Sequence, residues 1–103
     1  MFKIEANPTF SARVSIGVPG SPTADLNCVF RHKTQEQYRE FFSEAAVTGR
    51  TDAQAIFEIV DSWDADAPLT VDNVARLISN HHGAAWAILD TYARELTQAR
   101  RGN

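Results

Sequence analysis

The chain has 103 residues, a length that fits one domain and leaves no room for a second hydrophobic core. Hydrophobic residues make up 44% of it and charged residues 22%, a balance that excludes a disordered tail. No window approaches the roughly 18–20 consecutive apolar residues of a membrane span. The net charge of −3 argues against a general nucleic-acid binder, and a single cysteine, Cys28, is compatible with a reducing cytoplasm.

The first third of the chain predicts an antiparallel β-hairpin. Apolar and polar residues alternate over 10–18 and again over 24–31, and the proline- and glycine-containing segment 19–22 between them supplies turn residues. A shorter run with the same alternation precedes them and leaves a third strand open: Phe2, Ile4 and Ala6. Because a two-stranded hairpin is marginal alone, its apolar face must pack on the remainder of the chain.

From residue 34 onward the apolar residues follow a helical period. Three threonines precede these segments and predict helix starts: Thr34, Thr51 and Thr70. Gly49 ends the first helix, and the segment 80–83 separates the third from a fourth over about 84–100. About four helices then cover the hairpin. The predicted fold class is α+β in a single domain, with a hairpin region over 1–33 and a helical region over 34–101.

Candidate chemistry is sparse in this sequence. A zinc site would need His81, His82, His32 and Cys28 to converge from two regions, and adjacent helical residues point about 100° apart. The acidic stretch 52–72 lacks the spacing of a calcium-binding EF-hand loop. Neither a phosphate-binding glycine loop nor a serine nucleophile motif is present. We therefore expect no catalytic residue, no metal site and no cofactor, and a protein that is not an enzyme.

Two tryptophans are the candidates for partner contact. Trp63 lies beside the acidic stretch at the end of the second predicted helix, and Trp86 lies on the flank of the last one. Tryptophan is enriched at the energetic centres of protein interfaces, and the alternative, which the residue type alone favours, is that both side chains pack at the edge of the core. The predicted partner-binding residues are Trp63, Trp86, Leu89 and Ala93.

Several segments in a fixed order cover nearly the whole chain. They are Asn7-Pro8-Thr9-Phe10, Phe30-Arg31-His32-Lys33-Thr34, Ser62-Trp63-Asp64, Gly83-Ala84-Ala85 and Glu95-Leu96-Thr97. In their order and in the length of the chain, they resemble the tail assembly chaperones of long, non-contractile-tailed phages and prophages. The resemblance is carried by the sequence of segments, since none of them is a catalytic signature.

The resemblance implies a function without chemistry. Such proteins bind the long, largely helical tape-measure protein in the host cytoplasm and keep it soluble before the tail tube forms. A longer, frameshifted form recruits the tail-tube protein, and the chaperone is absent from the mature virion. Self-association through the open hairpin edge is compatible with this role, whereas nucleic acid and membrane are not expected partners. The alternative is a small phage-encoded regulator that binds another protein or binds nucleic acid through its basic residues: Arg31, Lys33, Arg100 and Arg101.

Overall fold

The computed structural model describes residues 1–98, which form a three-stranded antiparallel sheet and five helices. In chain order the elements are β1 (Thr9–Ile16), β2 (Ala24–Arg31), α1 (Gln35–Phe41), α2 (Glu44–Thr48), α3 (Asp52–Ile59), β3 (Val60–Trp63), α4 (Val71–Asn80) and α5 (Ala84–Thr97). The α+β fold class predicted from the sequence is therefore confirmed. No helix in the described part is both long and apolar enough to cross a membrane.

The predicted hairpin is present, with strands β1 and β2 paired from Thr9 opposite Arg31 to Ile16 opposite Ala24. Alternate side chains of both strands are buried, as a period of two requires when one face of the sheet is covered. Gly20 adopts a φ of 75° in the connecting turn. Because a side chain makes positive φ unfavourable, a glycine suits this position.

The third strand is not where the alternation suggested it. Phe2 and Ile4 lie in no strand and are 92% and 94% exposed, so the prediction of a strand at the N-terminus is wrong. Strand β3 pairs with β2 instead, with Trp63 opposite Cys28 and a register shift next to Phe30. The predicted second helix therefore ends at Ile59, before Trp63.

Hydroxyl groups cap the starts of α1 to α4, whereas α5 begins after Gly83 without a side-chain cap. The side chains of Thr34, Thr51 and Thr70 each accept a backbone N–H in the first turn of α1, α3 and α4, which confirms these predicted starts. The first predicted helix is divided in two because Ser43 accepts the Ala46 N–H at 3.2 Å and begins α2. Five helices result instead of about four. The part of the predicted last helix beyond residue 98 lies outside the described residues.

The helices cover one face of the sheet and close an apolar core. Phe30 and Tyr92 are fully buried in it with ring centroids 5.2 Å apart, and the partly buried Phe10 packs against them at 5.7 Å from Phe30. The Tyr92 hydroxyl donates to the Arg31 carbonyl oxygen at 2.8 Å, which joins α5 to the end of β2. This contact supplies the cover that the isolated hairpin lacks.

Candidate partner-binding surface

Helix α5 packs on β1 with one side and exposes the other. Ala84, Ile88 and Tyr92 are fully buried and follow one another at intervals of four residues, so they form the inner stripe. At 100° per residue, Trp86 lies about 160° around the helix from Ile88. Its indole is 72% exposed, which is unusual for the largest side chain of a chain this small.

Two further apolar residues extend this exposed side. Leu89 and Ala93 follow Trp86 by three and seven residues and are half-buried. The spacing places them on the same side of the helix, so the three residues form a continuous strip that we call the α5 flank. Asp90 and Arg94 form an ion pair at 2.9 Å beside this strip. The α5 flank therefore combines an exposed aromatic ring, a small residue and a charged border.

Trp63 has a different environment from Trp86. It lies on β3, is half-buried, and its indole N–H donates to the Ala67 carbonyl oxygen at 2.8 Å. With Arg76 and Leu77 of α4 it lines a cleft of about 140 Å³. The structure thus places Trp63 beside α4, where its one polar atom is already satisfied. Its role in partner binding stays a prediction.

The basic residues at the end of β2 and just after it are paired with acidic residues of α3 and β3. The Arg31 guanidinium lies 3.3 Å from the Asp61 carboxylate, and the Lys33 ammonium lies 2.8 Å from that of Glu58. Exposed pairs of this kind contribute at most about 1 kcal/mol to stability. Even so, they reduce the positive charge that Arg31 and Lys33 offer to a nucleic-acid phosphate.

Hydrogen bonds between Asn27 of β2 and Asp64, the residue after β3, hold the C-terminal end of β3 against β2, and we call this group the clamp. The backbone N–H and the side-chain amide of Asn27 donate to the Asp64 carboxylate at 2.9 and 2.7 Å, and the Asp64 N–H donates to the Asn27 carbonyl oxygen at 3.2 Å. The side-chain hydrogen bond, followed by the backbone one, lowers the pKa of Asp64 below its ordinary 3.8. Asp64 therefore serves the fold as a hydrogen-bond acceptor.

The thiol of Cys28 lies in the core and is unsuited to chemistry. Burial, with a smaller contribution from the charge of Asp64, raises its pKa from 9.0 to about 12. Because the thiolate is the reactive form, the side chain acts as a small core residue near neutral pH. Among residues 1–98, no three His, Cys, Asp or Glu side chains cluster in a way that could hold a metal ion.

Other exposed apolar side chains were not predicted as surface candidates. Outside α5 and the N-terminus they are Phe42, Val47 and Phe57, which are 37%, 50% and 39% exposed. Phe42 follows the last residue of α1, where the helix stops. Phe57 could have been found from the sequence, since it falls outside the helical stripe of Ile56 and Ile59.

An exposed tryptophan on a helix flank is a candidate contact for another protein. The sequence model of a family described as phage tail assembly chaperone matches residues 1–103, the whole chain. The chain belongs to this family, and membership in a chaperone family implies binding rather than catalysis. Comparisons with curated proteins and with solved structures gave no significant match.

Proposed function

We propose that this chain binds a phage tape-measure protein in the host cytoplasm and keeps it soluble until tail-tube subunits assemble around it. The observation that carries this proposal is the 72% exposed indole of Trp86 on the α5 flank, in a chain that belongs to a tail assembly chaperone family. The proposal includes a longer, frameshifted form that recruits the tail-tube protein, and release of the chaperone before the virion is complete.

The α5 flank suits a helical partner in length and shape. From Trp86 to Ala93 it spans seven residues, which corresponds to two helical turns or about 10.5 Å. Trp86 offers a large apolar surface to a groove, and Ala93 allows a close approach of a second helix. A tape-measure protein that exposes apolar stripes along a helical rod would aggregate unless such contacts cover them.

A short contact surface also fits a reversible role. A single flank of two turns gives weak binding, whereas several copies bound along one rod gain from a high local concentration. Weak individual contacts allow tail-tube subunits to replace the chaperone one copy at a time. The Asp90–Arg94 border would select the orientation of the partner helix more than the strength of binding.

Co-expression with the tape-measure protein of the same phage or prophage tests the proposal. We expect the tape-measure protein to stay soluble and to co-purify with the wild-type chain. Trp86→Ala should weaken the complex about 30-fold, as expected for an aromatic interface residue worth about 2 kcal/mol. Titration by fluorescence anisotropy or calorimetry measures this change.

The matched control is Phe57→Ala, which removes another exposed aromatic ring from α3 and should leave the affinity within a factor of two or so. If Trp86→Ala binds normally, the α5 flank is not the contact surface. If the wild-type chain neither binds the tape-measure protein nor keeps it soluble, the proposed function is wrong. DNA binding that falls steeply with salt would instead favour the regulator.

A further inference from the structure

The chain carries a free strand edge and an unattached apolar segment, and the two are complementary. We propose that residues 1–6, the N-terminal arm, of one copy add as a fourth strand to the outer edge of β1 in a second copy. This inference concerns self-assembly and does not depend on the identity of any other partner.

The N-terminal arm exposes apolar side chains that the fold leaves uncovered. Phe2 and Ile4 are 92% and 94% exposed, and every residue of the arm is exposed. The β1–β2 pairing continues as far as the Pro8 carbonyl oxygen, which accepts the His32 N–H at 2.9 Å. Beyond that point the arm leaves the sheet. Such side chains cost free energy in water, so their burial against another surface is favourable.

Strand β1 provides an edge that can accept a strand. In the sheet formed by residues 1–98 the order is β1-β2-β3, so β1 has a neighbour on one side only. Over its eight residues, alternate N–H and C=O groups point away from β2 without a strand to receive them. A free edge of this length is a template for an added strand from another chain.

One antiparallel register satisfies both faces of the added strand. With Ile4 opposite Val14, the apolar residues of the arm continue the buried face of the sheet. The pairs on that face are Phe2 with Ile16, Ile4 with Val14 and Ala6 with Ala12. On the outer face, Glu5 then lies opposite Arg13 and Lys3 opposite Ser15. Arg13 has only a loose ion pair in the single chain, at 3.8 Å from Asp25, so it can pair with Glu5.

The same chain cannot supply the arm in this register. The residues that would form the turn, 7–11, include Thr9, Phe10 and Ser11 of β1, which are already paired with β2. A tight turn at 7–8 would instead place Ile4 opposite Ser11 and put the apolar residues on the polar face. In the structure the arm lies in no strand of its own chain, so the occupant that we propose is a second copy. Because the arm and the edge are different surfaces, the contact is heterologous and builds chains or closed rings of copies.

A disulfide between two variants that each carry one added cysteine tests the register. Lys3→Cys and Ser15→Cys chains are mixed under mild oxidation, and cross-linked dimers are identified by non-reducing electrophoresis and mass spectrometry. Directly opposite residues have Cα atoms about 4.5–5.5 Å apart, within the range of a disulfide. Cys28 does not compete, because burial raises the pKa of its thiol to about 12.

The matched control combines Lys3→Cys with Arg13→Cys, which are diagonal neighbours about 7–8 Å apart in this register and should cross-link several-fold more slowly. Equal rates for the two mixtures would overturn the register, and the absence of any cross-link with Ser15→Cys would overturn the proposal.

Sedimentation of the full chain tests the assembly itself. The Phe2→Ser/Ile4→Ser variant should weaken self-association at least about tenfold, because two apolar side chains no longer become buried. Glu5→Arg alone should weaken it about two- to fivefold, and Arg13→Glu in the same chain should restore it, since the cross-strand pair is re-formed with opposite signs. Neither change touches a buried residue, so loss of folding does not explain a positive result.

Three outcomes would contradict this proposal. The wild-type chain could remain monomeric up to about 1 mM, where an interface worth only about 4 kcal/mol would already be half-formed. The arm variant could associate as strongly as the wild type. The arm could also become protected only when a different protein is added. None of these results would bear on the contribution of Trp86 to tape-measure binding.

Discussion

The N-terminal arm and strand β1 carry the same alternation of apolar and polar residues, but only one of them is a strand. Val14 and Ile16 are covered by helices and paired with β2, whereas Phe2 and Ile4 are exposed and unpaired. The difference shows that a period of two describes a side-chain pattern and not a strand by itself. A strand also needs a neighbour for its backbone and a layer to cover its apolar face.

The largest expected effect compares a phenylalanine of the N-terminal arm with one of β2, the strand that pairs with β1. Phe30 is fully buried and packs against both Phe10 and Tyr92, so Phe30→Ala should lower the free energy of unfolding by about 3–5 kcal/mol. Phe2 is 92% exposed, so Phe2→Ala should change the free energy of unfolding by less than about 0.5 kcal/mol. Urea unfolding followed by circular dichroism, at a dilution where copies do not associate, measures both. A large loss for Phe2→Ala would mean that the arm is part of the folded core.

Much of the fold could be predicted because local signals were sufficient. The hairpin followed from alternation and turn residues, and the helix starts followed from the hydroxyl caps at Thr34, Thr51 and Thr70. Strand β3 could not be predicted in the same way. Val60 continues the apolar helical pattern of Ile56 and Ile59. Residues 60–63 form a strand only because the free edge of β2 offers them backbone hydrogen-bond partners.

The surroundings of the candidate partner-binding residues were predicted only in part, because some of them depend on loops and breaks that no local pattern indicates. The position of Trp86 on the helix flank followed from the 3.6-residue period, and the structure places it on the surface. Trp63 was assigned to a helix end, but its hydrogen bond to the Ala67 carbonyl oxygen depends on the loop after β3. The exposure of Phe42 depends on the break at Ser43, where a side-chain cap starts a new helix.

A smaller change in stability is expected when the hydrogen bond that joins α5 to the end of β2 is removed. The Tyr92 hydroxyl donates to the Arg31 carbonyl oxygen at 2.8 Å, so Tyr92→Phe should lower the free energy of unfolding by about 1 kcal/mol. Tyr38→Phe is the matched control, because it removes a hydroxyl from a half-buried ring on α1 and leaves this hydrogen bond intact. Equal effects of the two substitutions would show that the bond between α5 and β2 contributes nothing specific.

The smallest effect concerns the hydrogen bonds between Asn27 and Asp64, which hold β3 beside β2. The N-terminal arm has no such attachment to a neighbouring strand. Two donors of Asn27 lower the pKa of Asp64 below 3.8, so the native state favours the carboxylate over the acid. The stabilisation is therefore present above pH 3.8 and is lost as the pH falls through the lowered pKa.

Asp64→Asn cannot take up this proton, so the urea midpoint of this variant should fall less steeply than that of the wild type on acidification below pH 3.8. Asp66→Asn leaves the clamp intact and should follow the wild type. If Asp64→Asn and the wild type have the same pH profile, the clamp does not contribute to the attachment of β3.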